Sequence, residues 1–353
     1  MKTIYIVSLV LIALTSFELI SKNHRTAVSQ RYAWNVIWLA FSLTVFALAS
    51  FRVGGSDWEN YEIVFNLAAS SDSLPMAFAK NPLLEPGYVA LNYLVAKLGG
   101  DRRDLIYIES GITSLGTFLV LTRVPGGAII VTWLITLTFI GLMPVRQTVA
   151  ISLVMIAFAA TSRKLRLIST LIAPSIHISS IPLLVAKQFG KKHLSRSALT
   201  GLALMSAVAT YFTTKLLSDK LALYRDEASG LTDLAPGTVI GGKIVTLSFI
   251  VLVGYFASKK KQTAPCPSFF DYKILHLITI VSLAMATINP GFIRLTSVFE
   301  ILYMWIAAEN IYYLQNKKIR FFLYSMIAFV VICKLTKISL QFEDIYSVRF
   351  FSV

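Results

Sequence analysis

Residues 128–142 read AIIVTWLITLTFIGL and residues 147–161 read QTVAISLVMIAFAAT, two apolar blocks parted only by Met143-Pro144-Val145-Arg146. Neither alternates with the period of two that a barrel strand needs. Each is a continuous run, which in a bilayer satisfies its own backbone only as an α-helix. Working outward, similar blocks recur along the whole chain, each close to the ~20 residues that cross a ~30 Å hydrocarbon core. Spans are expected at 2–20, 33–51, 104–122, 128–142, 147–161, 198–214, 239–257, 274–289, 294–314 and 321–337. The fold class this predicts is an all-α polytopic membrane protein of about ten transmembrane helices, a single transmembrane domain over 1–353.

Composition points the same way. Of 353 residues, 56% are hydrophobic and 14% charged, with a mean hydropathy of +0.69. A soluble domain keeps about 25% charged residues for its wet surface. The net charge of +15 raises the question of nucleic acid, and its distribution answers it. Of the 33 Lys and Arg, 18 fall in six short connectors (21–31, 123–127, 162–166, 187–197, 258–273 and 315–320) that hold one acid, Asp271. That is the positive-inside pattern of cytoplasmic loops, not a basic recognition surface, so no nucleic-acid partner is expected. Cys266 and Cys333 lie in a Lys-rich connector and in the last apolar block, which argues against a disulfide or a metal site. The N-terminal block lacks a small-x-small cleavage site and is read as a span, not a signal peptide.

Two blocks break the alternation of sides. Residues 86–98 are too short to span and carry Asn92 and Lys97, which suits an interfacial helix within a long outer segment, 52–103. Residues 167–186 have basic connectors at both ends, so both ends are expected on the cytoplasmic side. This segment is read as a re-entrant pair of short helices, broken around Pro174-Ser175-Ile176-His177-Ile178-Ser179-Ser180 and again at Pro182. The outer face then receives 52–103, 141–146, 215–238, 290–293 and both termini. Its two long loops, 52–103 and 215–238, mix acids with bases, and chemistry is expected there.

The chain lacks a P-loop, His-Glu-x-x-His, Cys-x-x-Cys, Gly-x-Ser-x-Gly and Asp-x-Asp. What remains is a set of ionisable residues at the outer ends of spans, where charge near lipid is costly. Arg52 closes the second span, and Asp57 and Tyr61 follow a Gly54-Gly55 turn. Glu85 opens the interfacial helix. Arg146 and Arg294 stand at outer turns, each beside a proline, Pro144 and Pro290; Arg225 lies in the second long outer loop. Any one arginine reads equally well as a headgroup anchor. Several together suit a polyanion, because guanidinium binds phosphate bidentately and stays charged. His177, at the expected re-entrant tip, is either a packed core histidine or a proton acceptor working near neutral pH.

Taken in order, these stretches resemble a known family. Phe51-Arg52-Val53-Gly54-Gly55-Ser56-Asp57-Trp58-Glu59-Asn60-Tyr61 is similar to the Arg-x-x-Gly-x-Asp-x-x-x-Tyr element of EpsG-type polysaccharide polymerases, relatives of the Wzy O-antigen polymerases. Glu85-Pro86-Gly87-Tyr88 resembles their Glu-Pro-Gly-aromatic element, and Val145-Arg146-Gln147-Thr148-Val149-Ala150-Ile151 their Ile-Arg-Gln-x-Ile-Ala run. Ala173-Pro174-Ser175-Ile176-His177-Ile178-Ser179-Ser180 resembles their Ala-Ser-x-x-His-x-Ser-Ala hairpin, and Arg294 a late arginine before an aromatic-rich span. Pro174 and Ile178 depart from the pattern, as does Val53-Gly54-Gly55.

The resemblance implies a GT-C-like membrane glycosyltransferase that polymerises polyprenyl-pyrophosphate-linked oligosaccharide repeats into O-antigen or exopolysaccharide. It would work at the outer face of the cytoplasmic (inner) membrane, with membrane lipid, a chain-length regulator and a flippase as further partners. His177, then Asp57, would be catalytic. Arg52, Arg146, Arg294, Tyr61, Glu85 and Arg225 would hold pyrophosphate or glycan. No cofactor and no obligatory metal is expected, in keeping with the missing Asp-x-Asp. The rivals are a lipid-linked oligosaccharide flippase or other transporter, and a membrane acyltransferase.

Overall fold

Trp34, Trp38, Phe41, Val45 and Leu48 are buried on one face of a long helix, while Val36, Ile37, Leu39 and Leu43 on its other face are exposed. The inward stripe follows the 3.6-residue period, but the outward face is equally apolar. A helix apolar all round whose outer side meets no protein belongs in lipid. A later helix repeats the arrangement, with Leu247, Ile250, Val253 and Ala257 inward and Ile244, Val245, Leu252 and Phe256 outward.

A computed structural model of the protein describes residues 2–21, 28–53, 58–139, 145–189, 236–259, 273–288, 293–341 and 347–348. The elements are α1 (Lys2–Ser21), α2 (Val28–Ser50), β1 (Arg52–Val53), α3 (Trp58–Ala69), α4 (Leu74–Lys80), α5 (Pro86–Lys97), α6 (Arg102–Arg123) and α7 (Gly127–Phe139). They continue with α8 (Val145–Ala159), α9 (Arg163–Ile176), α10 (Ser180–Phe189), α11 (Pro236–Lys259), α12 (Lys273–Ile288), α13 (Ile293–Tyr312), α14 (Lys317–Gln341) and β2 (Ser347–Val348). Among the described residues, Tyr32–Ser50, Arg102–Arg123 and Gly241–Lys259 are long and apolar enough to cross a membrane. Val145–Ala159 and Leu275–Ala284 are shorter apolar helices.

The chain divides into two compact units, Met1–Ser180 with Asn316–Val353, and Ile181–Gln315. In the first, α6 packs against both α2 and α8, and α8 also packs against α9. The Ser114 hydroxyl donates to the Ser42 carbonyl at 2.7 Å, tying α6 to α2. Across the other contact, a Cβ on Gly116 would lie 2.9 Å from the Ser152 carbonyl oxygen, so only glycine lets α6 and α8 come this close. The Tyr324 hydroxyl donates to the Ile12 carbonyl at 2.9 Å, tying α14 to α1. Arg52 and Val53 pair antiparallel with Val348 and Ser347. In the second unit α11, α12 and α13 pack on one another.

Nearly every expected span coincides with a helix, whereas the expected span 198–214 lies outside the described residues. The segment 52–103 holds more structure than expected. Besides α5, which coincides with the short helix expected at 86–98, it contains α3 and α4. Tyr61, Phe65 and Ala68 are the buried face of α3, a short stripe of period 3.6 inside a segment whose charges dominate a plain hydropathy reading.

The 167–186 segment is two short helices, as expected, with the first break inside the expected stretch and no second one at Pro182. Helix α9 runs through Pro174 to Ile176 and the chain turns at His177. Pro182 lies in the first turn of α10, where a missing N–H has no intrahelical partner to lose.

Candidate functional site

Helix α5 begins with a carboxylate that does not cap it. Glu85 is the N-cap residue, with extended backbone and no side-chain bond to its own helix. An acid here would ordinarily take a first-turn N–H. Its Oε2 instead lies 2.6 Å from Nη1 of Arg146, the second residue of α8, and both side chains are buried. With its carboxylate engaged elsewhere, α5 starts on Pro86, whose fixed φ suits a first helical position.

Two tyrosines wall the guanidinium. Cζ of Arg146 lies 5.6 Å from the Tyr88 ring centre and 5.9 Å from that of Tyr61. The two rings meet edge to face at 5.9 Å. Tyr88 is fully buried, and its hydroxyl donates to Oε1 of Glu109 at 3.0 Å. Burial first, and then the Glu109 carboxylate, push this phenol well above the usual tyrosine value, so it remains a donor. The other oxygen of Glu109 faces Nη1 of Arg102 at 3.7 Å, and Cζ of Arg102 lies 5.7 Å from the Tyr61 ring centre. Two guanidiniums, two carboxylates and two phenol rings therefore converge from α3, α5, α6 and α8.

The His177 turn is joined to this centre through the backbone. A Cβ added to Gly87 would overlap Ser175 Oγ and lie 2.6 Å from its Cβ and 2.8 Å from its carbonyl oxygen. Glycine thus allows the first turn of α5 to seat on the last turn of α9, two residues before His177. That histidine is half-buried. Its N–H donates to the Ala173 carbonyl, and its Nδ1 accepts from the Ser179 N–H at 3.2 Å. A backbone N–H can only donate, so Nδ1 carries the lone pair and the ring proton is on Nε2.

Of the residues singled out from the sequence, the structure gathers Tyr61, Glu85 and Arg146, with His177 on the adjoining turn. Asp57 and Arg225 lie outside the described residues, and only the backbone of Arg52 and Arg294 is described. Among the described residues no three His, Cys, Asp or Glu side chains converge as metal ligands would.

Sequence reasoning passed over Glu109 and Arg102 as site members, and over a second buried pair, Lys243 and Glu300 at 2.8 Å on α11 and α13. Their signal was in the sequence. Glu109, Lys243 and Glu300 each interrupt a run otherwise fit for lipid, and an ionisable residue there is a candidate by its cost alone.

A helical membrane protein with a buried, tyrosine-walled arginine centre is the class that fold and site define. A family model, the EpsG family, matches residues 35–347. The chain belongs to the EpsG family, which is associated with glycosyltransferase-like polysaccharide polymerisation. Neither the curated proteins nor the solved structures yield a match.

Proposed function

We propose that the protein polymerises polyprenyl-pyrophosphate-linked oligosaccharide repeats into surface polysaccharide, O-antigen or exopolysaccharide, at the outer face of the cytoplasmic membrane. The observation that carries this reading is Arg146. Its guanidinium is buried, fixed by Glu85 and walled by two aromatic rings, on elements distant in sequence that the family pattern singles out. In the proposed topology the chain crosses the membrane about ten times as one transmembrane domain, α5 lies at the interface and α9–α10 re-enter.

In the proposed reaction the bond between the anomeric carbon and the pyrophosphate oxygen of the growing chain breaks. A hydroxyl oxygen of the next lipid-linked unit takes that carbon, and the polyprenyl pyrophosphate departs. Charge accumulates on the departing phosphate oxygens while the sugar passes through an oxocarbenium-like state. Arginines already oriented in a site shielded from water stabilise that charge without reorganising, an effect on the order of 10²–10³ in rate for a single donor. Arg146 is assigned this role, with Arg52, Arg294 and Arg225 as further cations and Tyr61 and Glu85 as the frame.

The acceptor hydroxyl must lose its proton. His177 presents Nε2–H in its observed hydrogen bonding, which suits donation to a phosphate oxygen. It becomes a base only with the ring proton moved to Nδ1 and the Ser179 contact given up, so Asp57 is assigned the acceptor proton. A chain-length regulator and a flippase are the proposed partners.

The test is deletion of the gene in its native host, followed by a gel of the surface polysaccharide. Loss of the long-chain ladder with single repeats retained, restored by wild type but not by well-expressed Arg146→Ala, is the expected result. Loss of every repeat would move the protein upstream to export. An unchanged ladder would refute polymerisation.

A further inference from the structure

We infer that Arg102 is a second phosphate-binding residue of this site and selects a diphosphate-linked over a monophosphate-linked lipid. The inference rests on the reading of Arg146 given above and deepens it. Arg102 is the first residue of α6, after an Asp101 N-cap whose carboxylate accepts from the backbone N–H groups of Arg103 and Asp104. A cation at that position opposes the helix dipole, which favours anions at an N-terminus. Its neighbour Arg103 accepts the position by staying in solvent. The Arg102 side chain turns inward instead and is 15% exposed.

What it turns toward is the Arg146 centre. Cζ of each arginine lies within about 6 Å of the same Tyr61 ring, the range of a cation–π contact. Their engagement differs. Arg146 has a 2.6 Å charge-assisted bond to Glu85. Arg102 faces Glu109 at 3.7 Å, beyond hydrogen-bond distance, and its Nη1 is buried with no hydrogen bond. A buried N–H donor left in that state is costly unless a ligand completes it. The Glu109 oxygen that faces Arg102 is not the one that takes the Tyr88 hydroxyl, so the carboxylate holds the tyrosine and steers the arginine at once. Two guanidiniums within about 6 Å of the same ring offer two linked phosphoryl groups a cation each. A monophosphate would occupy only one of them.

The experiment measures binding of farnesyl diphosphate and farnesyl monophosphate to the purified full-length chain in lipid nanodiscs. Wild type is expected to prefer the diphosphate. Arg102→Gln should cut that preference about tenfold, the loss of one charge-assisted hydrogen bond, while monophosphate binding is retained. Arg102→Lys should keep part of it. Arg103→Gln, the same charge change one residue along, should leave it intact. Because the preference is a ratio within one preparation, a smaller folded fraction cancels. Wild-type preference in Arg102→Gln would overturn the role of Arg102 and leave the site reading standing. A wild-type chain that binds neither probe, or does not distinguish them, would overturn the pyrophosphate reading and this inference with it.

Discussion

Arg146 and Glu85 stand 61 residues apart in the chain and meet at 2.6 Å with both side chains buried. Removing one partner leaves the other as an uncompensated charge, which for a buried pair costs about 3–5 kcal/mol. Arg146→Gln and Glu85→Gln are each expected to lower the thermal stability of the detergent-purified protein. The double variant should lose less than the sum of the two. A strictly additive double-mutant cycle would show that the pair contributes no coupling.

Gly87→Ala tests the seating of α5 on α9. The added methyl meets Ser175 side chain and backbone together, so the two helix ends must separate. Polymer length on a gel is expected to fall sharply with the protein still present in the membrane. Adding Ser175→Gly should restore part of the activity, because it removes the side chain but not the carbonyl oxygen. Normal polymer from Gly87→Ala alone would mean the approach is not needed.

Tyr88 carries a pH signature. Its phenol is raised well above 10.0, first by burial and then by Glu109. Below the unfolded value of 10.0 both states keep the proton and the group's contribution is fully present. As pH rises above that value the unfolded chain releases the proton first, and stability is lost toward the folded pKa. Tyr88→Phe should therefore flatten the alkaline arm of a stability profile. It should also cost about 1–3 kcal/mol at neutral pH, because the buried Glu109 oxygen loses its donor. An unchanged alkaline slope in Tyr88→Phe would contradict this account.

Lys243 and Glu300 form a pair 9% and 0% exposed, at 2.8 Å. Such pairs are often replaceable by apolar side chains of similar volume, though not one at a time. Lys243→Met or Glu300→Leu alone should reduce the folded yield in the membrane. The two together should recover it, as read by monodisperse elution in detergent. Recovery of yield without recovery of polymer would assign the pair a part in the activity beyond packing.

Much of the candidate site was legible residue by residue. Arg146, Glu85 and Tyr61 stand out because a charged or aromatic group beside a Pro or Gly at the end of an apolar run is costly without a purpose. Arg102 was hidden by its neighbour, since Arg102-Arg103 at a span end reads as a pair of anchors and only one of them is exposed. Glu109 was hidden inside a run read for its hydropathy. Helices α3 and α4 were missed because short helices that pack on other helices need only one narrow apolar stripe. Pro182 misled for the opposite reason, as a proline strongly marks a break that α10 does not make there.

The sequence by itself determined the long apolar helices, the membrane class and the family, because each of these rests on a local or additive property: the length of an apolar run, the overall hydropathy, the order of short elements. Only the tertiary structure decided which side chains meet. The pairing of Arg146 with Glu85, of Tyr88 with Glu109 and of Arg102 with Tyr61 depends on how separate helices cross. Those crossings are set by close packing, in which a glycine at 87 or 116 permits an approach that no hydropathy pattern records.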